Sequence, residues 1–381
     1  MKVLLFKIRG LCYNSSNIFI DELYNSFEKL GVNTEICCVD NIEEESSVLE
    51  KYIGKTYDAV IDINSVLPAA SYEDIPYPDL INAPFINLIV DHPMHLHPLL
   101  NISLKNNYVV CLDEMHKEYI SKYYPNIKNV LVMPLGASKA AETIDFDERQ
   151  YNILFPATYT PLAYFREQLD SMGDDYLSIA DRILDMIEHG AKPDIPALFT
   201  LTTGTDNDFF ALKMYKARYI DRYIREVHRQ TILDKLLSMG LKIDALGHRW
   251  DMYDNKYKNN LNIHPACSYL DALNMIGNSK VVLNVQPLFI TAPHDRIFNS
   301  MINGAVSLTN SADYLDKSYK PGQDYLLYDL YEPSLSIDRL FNTLNDCNCL
   351  KDISGSAYQN VYQNDTWNCR ALTLYNFVNT L

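Results

Sequence analysis

A chain of 381 residues exceeds what one ordinary core organises, so two domains, or at most three, are expected. Apolar residues make up 48% and charged residues 22%, a globular balance that excludes a disordered or fibrous chain. Against 49 Asp and Glu stand 33 Lys and Arg, and the formal charge of -16 disfavours a general nucleic-acid or membrane-surface role, because it repels phosphate backbones and anionic lipid alike.

Lys7 and Arg9 interrupt the apolar start and no small-residue cleavage site follows, so the first residues read as a strand rather than a leader. No run approaches the roughly 18 to 20 apolar residues that span a bilayer, so no transmembrane segment is expected. The eight cysteines lie mostly in apolar stretches without C-x-x-C spacing, which fits buried thiols in a reducing cytoplasm. Cys347-Asn-Cys349 has no matching pair elsewhere to complete a metal site.

In chain order, short β-rich runs alternate with helical patterns, the signature of βαβ units on a parallel sheet. The spacing predicts a strand at Val3–Ile8, a helix over 18–30, a strand at 34–39, an acidic helix over 43–52 and strands at 59–63 and 85–90. A strand at 108–112, a helix over 114–124 and a strand at 130–133 complete one Rossmann-like domain. The stretch 136–149 is polar and aperiodic, as an interdomain linker is. A second series opens with a strand at 151–155 and is then interrupted by helical patterns. Within them, 211–239 carries a basic face of Lys213, Lys216, Arg218, Arg222, Arg225 and Arg229, read as solvated or facing an acidic partner. Alternation resumes with strands at 242–246, 281–285 and 305–309 and helices over 269–276 and 296–302. The domain limits expected are 1–140 and 150–360, with a helical insertion over about 170–240. A last helix within 361–381 is placed to pack back on the first domain.

In open parallel sheets ligands bind beyond the carboxyl ends of strands, so the residues after each strand are the candidates. Gly10 after the first strand lets the backbone approach a ligand, but neither G-x-G-x-x-G nor a P-loop pattern is present. Asp91-His92-Pro93-Met94-His95-Leu96-His97 follows the 85–90 strand, where Asp91 or His92 can act as base toward a hydroxyl. A plain turn and a metal cluster are the competing readings, the latter without helical i, i+4 spacing. Asn64 and Ser65 are weaker candidates in the loop before it. Thr158, with Arg166 one to two turns into the next helix, suits an anionic phosphate, although Thr160-Pro161 reads equally well as a simple helix start. Gly247, His248 and Trp250 are positioned to meet a nucleotide base, and His264 follows a further short strand. The densest group is Asn284, then His294, Asp295, Arg296 and Asn299, in which a helix start and a guanidinium form a seat for a diphosphate.

At this group the chain resembles the C-terminal half of GT-B glycosyltransferases of the group-1 type, in particular the bacterial spore-maturation branch. The resemblance rests on Gly247-His-Arg-Trp250, His264-Pro, Asn278 to Val285 and Pro293 to Leu308, and covers roughly 130 residues. Val90-Asp91-His92-Pro93 extends it less specifically over the whole chain. It implies an α/β protein of two Rossmann-like domains with parallel sheets facing a cleft and a helical insertion in the second. It also implies a cytoplasmic bacterial enzyme that moves a sugar from a nucleoside diphosphate-sugar to a glycan or protein acceptor, with neither metal nor added cofactor; that no nucleic acid is a partner is expected from the net charge. A nucleotide-sugar epimerase and a catalytically silent binding module are the alternatives of the same fold. The family usually carries glutamate, which binds the donor ribose, where this chain has Asn299.

Overall fold

The structure is a computed structural model that describes residues 1–8, 15–39, 46–173, 175–205 and 209–381. The chain divides into two compact units. Unit 1 comprises Met1–Gly136, Asp208–Tyr215 and Thr366–Leu381, and unit 2 comprises Ala137–Asn207 and Lys216–Asp365.

Unit 1 opens with β1 (Lys2–Ile8), α1 (Ser15–Lys29), β2 (Asn33–Val39), α2 (Ser46–Glu50) and β3 (Ala59–Ile63). A small hairpin of β4 (Ser71–Tyr72) and β5 (Ile75–Pro76) leads to α3 (Tyr77–Leu80) and β6 (Phe85–Leu88). Then come α4 (His97–Leu100), β7 (Asn107–Cys111), α5 (Glu114–Tyr123) and β8 (Asn129–Val132). The six-stranded sheet is parallel in the order β2-β1-β3-β6-β7-β8. Val3 to Phe6 are at most 1% exposed, because in a parallel sheet both faces are covered and alternation of polar and apolar residues disappears.

Unit 2 starts with β9 (Tyr151–Pro156), followed by the helices α6 (Leu162–Ser171), α7 (Tyr176–Glu188), α8 (Ile195–Thr203) and α10 (Arg218–Ser238); between the last two, all of α9 (Phe210–Lys216) but its last residue belongs to unit 1. The core alternation returns with β10 (Ile243–Leu246), β11 (Leu261–His264), α11 (Tyr269–Gly277), β12 (Ser279–Leu283), α12 (Asp295–Ile302), β13 (Val306–Thr309), α13 (Asp313–Ser318) and β14 (Leu326–Leu327). The second sheet is also six-stranded and parallel, in the order β11-β10-β9-β12-β13-β14. Two further helices, α14 (Pro333–Leu344) and α15 (Cys347–Asn364), complete the unit, and α16 (Trp367–Val378) packs on α1 in unit 1. Within the helical insertion, Phe210 joins unit 1 by stacking on Tyr123 with ring centroids 5.0 Å apart.

The stretch 136–149 is not the loose linker its composition predicts. Ser138 N–H donates to Asn299 Oδ1 (2.8 Å), Ala140 N–H to Asn303 Oδ1 (2.7 Å) and Ala141 N–H to Asn274 Oδ1 (3.0 Å), so side-chain amides of α11 and α12 take up its backbone donors. Its last residue, Arg149, is 8% exposed and donates to the carbonyls of Ile144 (3.2 Å), Ser279 (2.9 Å), Asn303 (3.0 Å) and Gly304. Two of these carbonyls end α12, where orphan acceptors and the negative end of the helix dipole both favour a cation. Burial lowers the Arg149 guanidinium to about 10, with Asp145 opposing the shift, so the group stays charged at neutral pH. Gly304 has φ +68, and a Cβ there would come within 2.8 Å of the Arg149 guanidinium. Arg149→Ala takes a donor from four carbonyls, of which that of Gly304 keeps the Ser354 hydroxyl (2.7 Å), and is expected to lower unfolding free energy by about 2–4 kcal/mol in urea titrations.

Candidate functional site

At the carboxyl end of β12 the buried Asn284 organises its surroundings. Its Nδ2 donates to Thr309 Oγ1 (2.9 Å), its Oδ1 accepts from an Arg296 Nη (2.8 Å), and its carbonyl accepts from the Tyr328 hydroxyl (2.9 Å). The Arg296 guanidinium makes no other hydrogen bond to the described residues. From α10, Arg229 places one Nη 3.4 Å from Glu226 Oε2 and 3.5 Å from the Thr158 carbonyl. Burial, and then the nearby charge of Arg229, depress Arg296 to about 10 even though Asp295 works in the other direction. Tyr328 feels both guanidiniums. Two cations in one half-buried space repel each other, and an anion between them relieves that repulsion.

The start of α12 differs from the expected row of open N–H groups. His294 N–H donates to Gln286 Oε1 (2.9 Å), and Arg296 N–H donates to His294 Nδ1 (3.1 Å) in an N-cap. The same Nδ1 lies 2.8 Å from Asp295 Oδ1. One nitrogen cannot accept from an amide and donate to a carboxylate together, and burial lowers the His294 pKa, so the neutral cap is the form that fits. The seat is therefore built of guanidinium donors more than of backbone amides.

Several predicted site residues serve the scaffold instead. Asn299, 2% exposed, donates to the Tyr269 hydroxyl (2.8 Å) and Asp295 Oδ2 (3.2 Å) and accepts from Ser138 N–H (2.8 Å), so it braces the 137–141 segment and does not face a ligand. Trp250 is 2% exposed, stacks on Tyr159 at 5.4 Å and donates to the Ala157 carbonyl (2.6 Å), which makes it a core residue and not a platform for a base. Gly247 allows this arrangement, since a Cβ would come within 2.3 Å of the Ala157 carbonyl oxygen. The His248 side chain is exposed, and its carbonyl accepts from Tyr159 N–H (3.0 Å). Arg166 is not at the Arg296 site: it grips Asp181 through two nitrogens (2.9 and 3.2 Å) and donates to the Tyr223 hydroxyl (2.7 Å). His264 is committed to Asp244 on the neighbouring strand (2.8 Å). Thr158 does reach the site, through its carbonyl on Arg229.

In unit 1, Asp91 follows β6 and accepts from Asn64 Nδ2 (2.8 Å), while Asn64, at φ +46, also accepts from Val90 N–H (2.9 Å). His92 Nδ1 caps the following turn through Met94 N–H (3.1 Å), and its ring packs edge-on to His116 (4.7 Å) and Tyr119 (5.3 Å). The three histidines do not converge, because His97 instead approaches the Tyr124 hydroxyl at 3.0 Å. His92 Nδ1 is thus taken up by the turn, while the Asp91 carboxylate is held by the Asn64 amide. Gly10 lies outside the described residues. Reasoning from the sequence missed Arg229, Gln286 and Tyr328 as site residues; the basic face on 211–239 held the one usable signal, yet a helical repeat does not show which cation turns inward.

Residues 225–375 match the family model described as glycosyl transferase-like. The chain has the fold of group-1 GT-B glycosyltransferases. An alpha-glucosyltransferase solved with UDP and a 13-mer DNA containing an HMU base superposes with TM-score 0.61 at 11% identity, covering 100% of this chain and 99% of that one. A glycosyltransferase from Rickettsia africae ESF-5 gives TM-score 0.54 at 13% identity, with 100% and 98% covered. Sucrose-phosphate synthase from Thermosynechococcus elongatus gives TM-score 0.54 at 10% identity, again with 100% and 98% covered. No curated protein matches the sequence. The first of these structures contains DNA, so for this fold the expected absence of a nucleic-acid partner rests on net charge alone. No described helix is long and apolar enough to cross a membrane.

Two stability measurements test these buried contacts. Trp250→Phe loses the bond to Ala157 and is expected to cost about 1–2 kcal/mol of stability in urea titrations. Burial raises the Asp62 carboxyl to about 7 against hydrogen bonds from Ser65 and Ile63. The native state then holds a proton that the unfolded chain, titrating near pH ~3.9, has lost, so stability falls as pH rises from about 4 through about 7. Asp62→Asn removes that slope in denaturation midpoints measured across the same range.

Proposed function

We propose that this protein transfers a sugar from a nucleoside diphosphate-sugar to a glycan or protein acceptor. The observation that supports this most is the pair Arg229 and Arg296 beside Tyr328 at the carboxyl end of β12, in a fold shared with enzymes solved with UDP or UDP-glucose. As the bond from the anomeric carbon to the diphosphate oxygen breaks, negative charge grows on the leaving diphosphate, and guanidiniums already in place stabilise it without reorganising. The acceptor oxygen forms the new bond to that carbon and gives up its proton, for which Asp91 is the base. His92 holds the turn that presents Asp91. In this reading the arginines supply the positive charge, so no metal or cofactor is needed. Seven described cysteines are free thiols, which agrees with a reducing cytoplasm where such donors are made. The charge of -16 favours a glycan or protein acceptor over a nucleic acid.

Melting temperature and isothermal calorimetry with UDP-, GDP- and dTDP-sugars test the reading. One nucleotide series should bind, and Arg296→Ala and Arg229→Ala should each weaken it about 10- to 100-fold, the worth of one charge-assisted contact. Turnover should persist in EDTA. Binding by none of the series, or unchanged affinity in both variants, overturns the assignment, and epimer formation without transfer replaces it with the epimerase reading.

A further inference from the structure

The ring nitrogen Nδ1 of His294 has two partners that call for opposite states. Arg296 N–H, at 3.1 Å, requires a lone pair on that nitrogen, whereas Asp295 Oδ1, at 2.8 Å, calls for a proton on it. Both neighbours are fixed. The His294 backbone is held where its N–H meets Gln286 Oε1 (2.9 Å). The other oxygen of Asp295 accepts from Asn299 Nδ2 (3.2 Å) and the Tyr269 hydroxyl (3.3 Å), which keeps Oδ1 toward the imidazole. Because both partners already lie within hydrogen-bond distance, Nδ1 exchanges one for the other without movement of the ring. The His294 side chain is 25% exposed, so a proton reaches it from solvent.

The charges that bear on this ring are Asp295 and Arg296 on its own helix and Arg229 from α10. Burial is the largest influence and lowers the ring, Asp295 opposes it, and the two guanidiniums add to it. Burial also pushes the Asp295 carboxyl up, yet His294 and Arg296 bring it down to about 2, so Asp295 is an anion wherever a histidine titrates. Burial holds the hydroxyls of Tyr269, from α11, and Tyr328 above their usual range, so both stay neutral. An anion between the arginines offsets the two charges that oppose protonation of His294 and adds one that favours it.

We propose that His294 is a positioning residue whose Nδ1 changes partner when a diphosphate binds. Without the anion it caps Arg296 N–H; with the anion it carries a proton, donates it to Asp295 Oδ1, and releases Arg296 N–H to the phosphate. The inference rests on the nucleotide-sugar reading above. The proton comes from solvent, so binding is coupled to proton uptake. Between the lowered value of the ring without the anion and its raised value with it, the complex holds more protons than its separate parts. Affinity therefore falls as pH rises through that window. Glu226 is the other nearby group able to take up a proton, since burial raises its carboxyl against Arg229 and Thr160 N–H.

The test is calorimetric, with the full chain and UDP-, GDP- and dTDP-glucose as probes. Sugar conjugates are used because a terminal phosphate itself titrates near pH ~6, and they lack that ionisation. For the conjugate that binds, heats measured near pH ~6.5 in two buffers of different ionisation enthalpy should show net proton uptake, and Kd should rise about tenfold between pH ~5.5 and ~7.5. His294→Asn, which keeps a cap acceptor but does not titrate, should bind equally at both values, whereas Glu226→Gln should keep the tenfold change. Binding without proton uptake in the unmodified protein overturns the inference and needs no variant. So does a His294→Asn protein that folds, by its melting curve, and keeps the change with pH, or a Glu226→Gln protein that loses it. In each of these cases a nucleotide-sugar still binds and the transferase reading stands. If no conjugate binds at either pH, the transferase reading fails and this one falls with it.

Discussion

The contact on which the second unit depends is the burial of Arg149 beneath the C-terminal end of α12. That helix has eight residues, too few to be stable alone, and must be held in place by its surroundings. Arg149 closes its carbonyl end, Asn299 from its middle and Asn303 just past its end tie it to the 137–141 backbone, and Gln286 with the His294 cap closes its amide end. Its apolar face, Ile297, Phe298, Met301 and Ile302, packs with Ala357 and Val361 of α15. Because both ends are satisfied, the first turn has one position, and with it Arg296.

The same device recurs in both units. An asparagine just past a strand uses its side chain to orient a charged residue from elsewhere in its unit: Asn64 for Asp91 in unit 1, Asn284 for Arg296 in the first turn of α12 in unit 2. A neutral amide suits this work, since it fixes geometry through hydrogen bonds without cancelling the charge it holds. In unit 2 a second cation, Arg229, stands nearby with Glu226 3.4 Å from it, and Asp295 offsets the charge of Arg296, so each guanidinium has a carboxylate close by.

Much of the fold was legible along the chain. Strands such as β1, β3, β7 and β9 are short apolar runs bounded by helical patterns, and the structure places them within one or two residues of their predicted ends. The region from 310 to 364 was not legible. β14 has only two residues, and α15 carries Gly355 with several serines and asparagines, so α15 owes its stability to packing on α12 more than to propensity.

For the site, the order of residues by itself determined that Asn284, His294 and Arg296 lie at the carboxyl end of one strand and the start of the next helix. Strand–helix alternation and local caps are set by near neighbours in the sequence, so this much could be read directly. Which of those side chains would face a ligand was a tertiary decision. Trp250 turned into the core, Arg166 was taken by Asp181, and Asn299 became a brace for a segment some 160 positions away. Arg229 entered the site from a helix read as a solvated face. Direction and burial depend on contacts between residues far apart in the chain, and a periodic pattern carries no record of those.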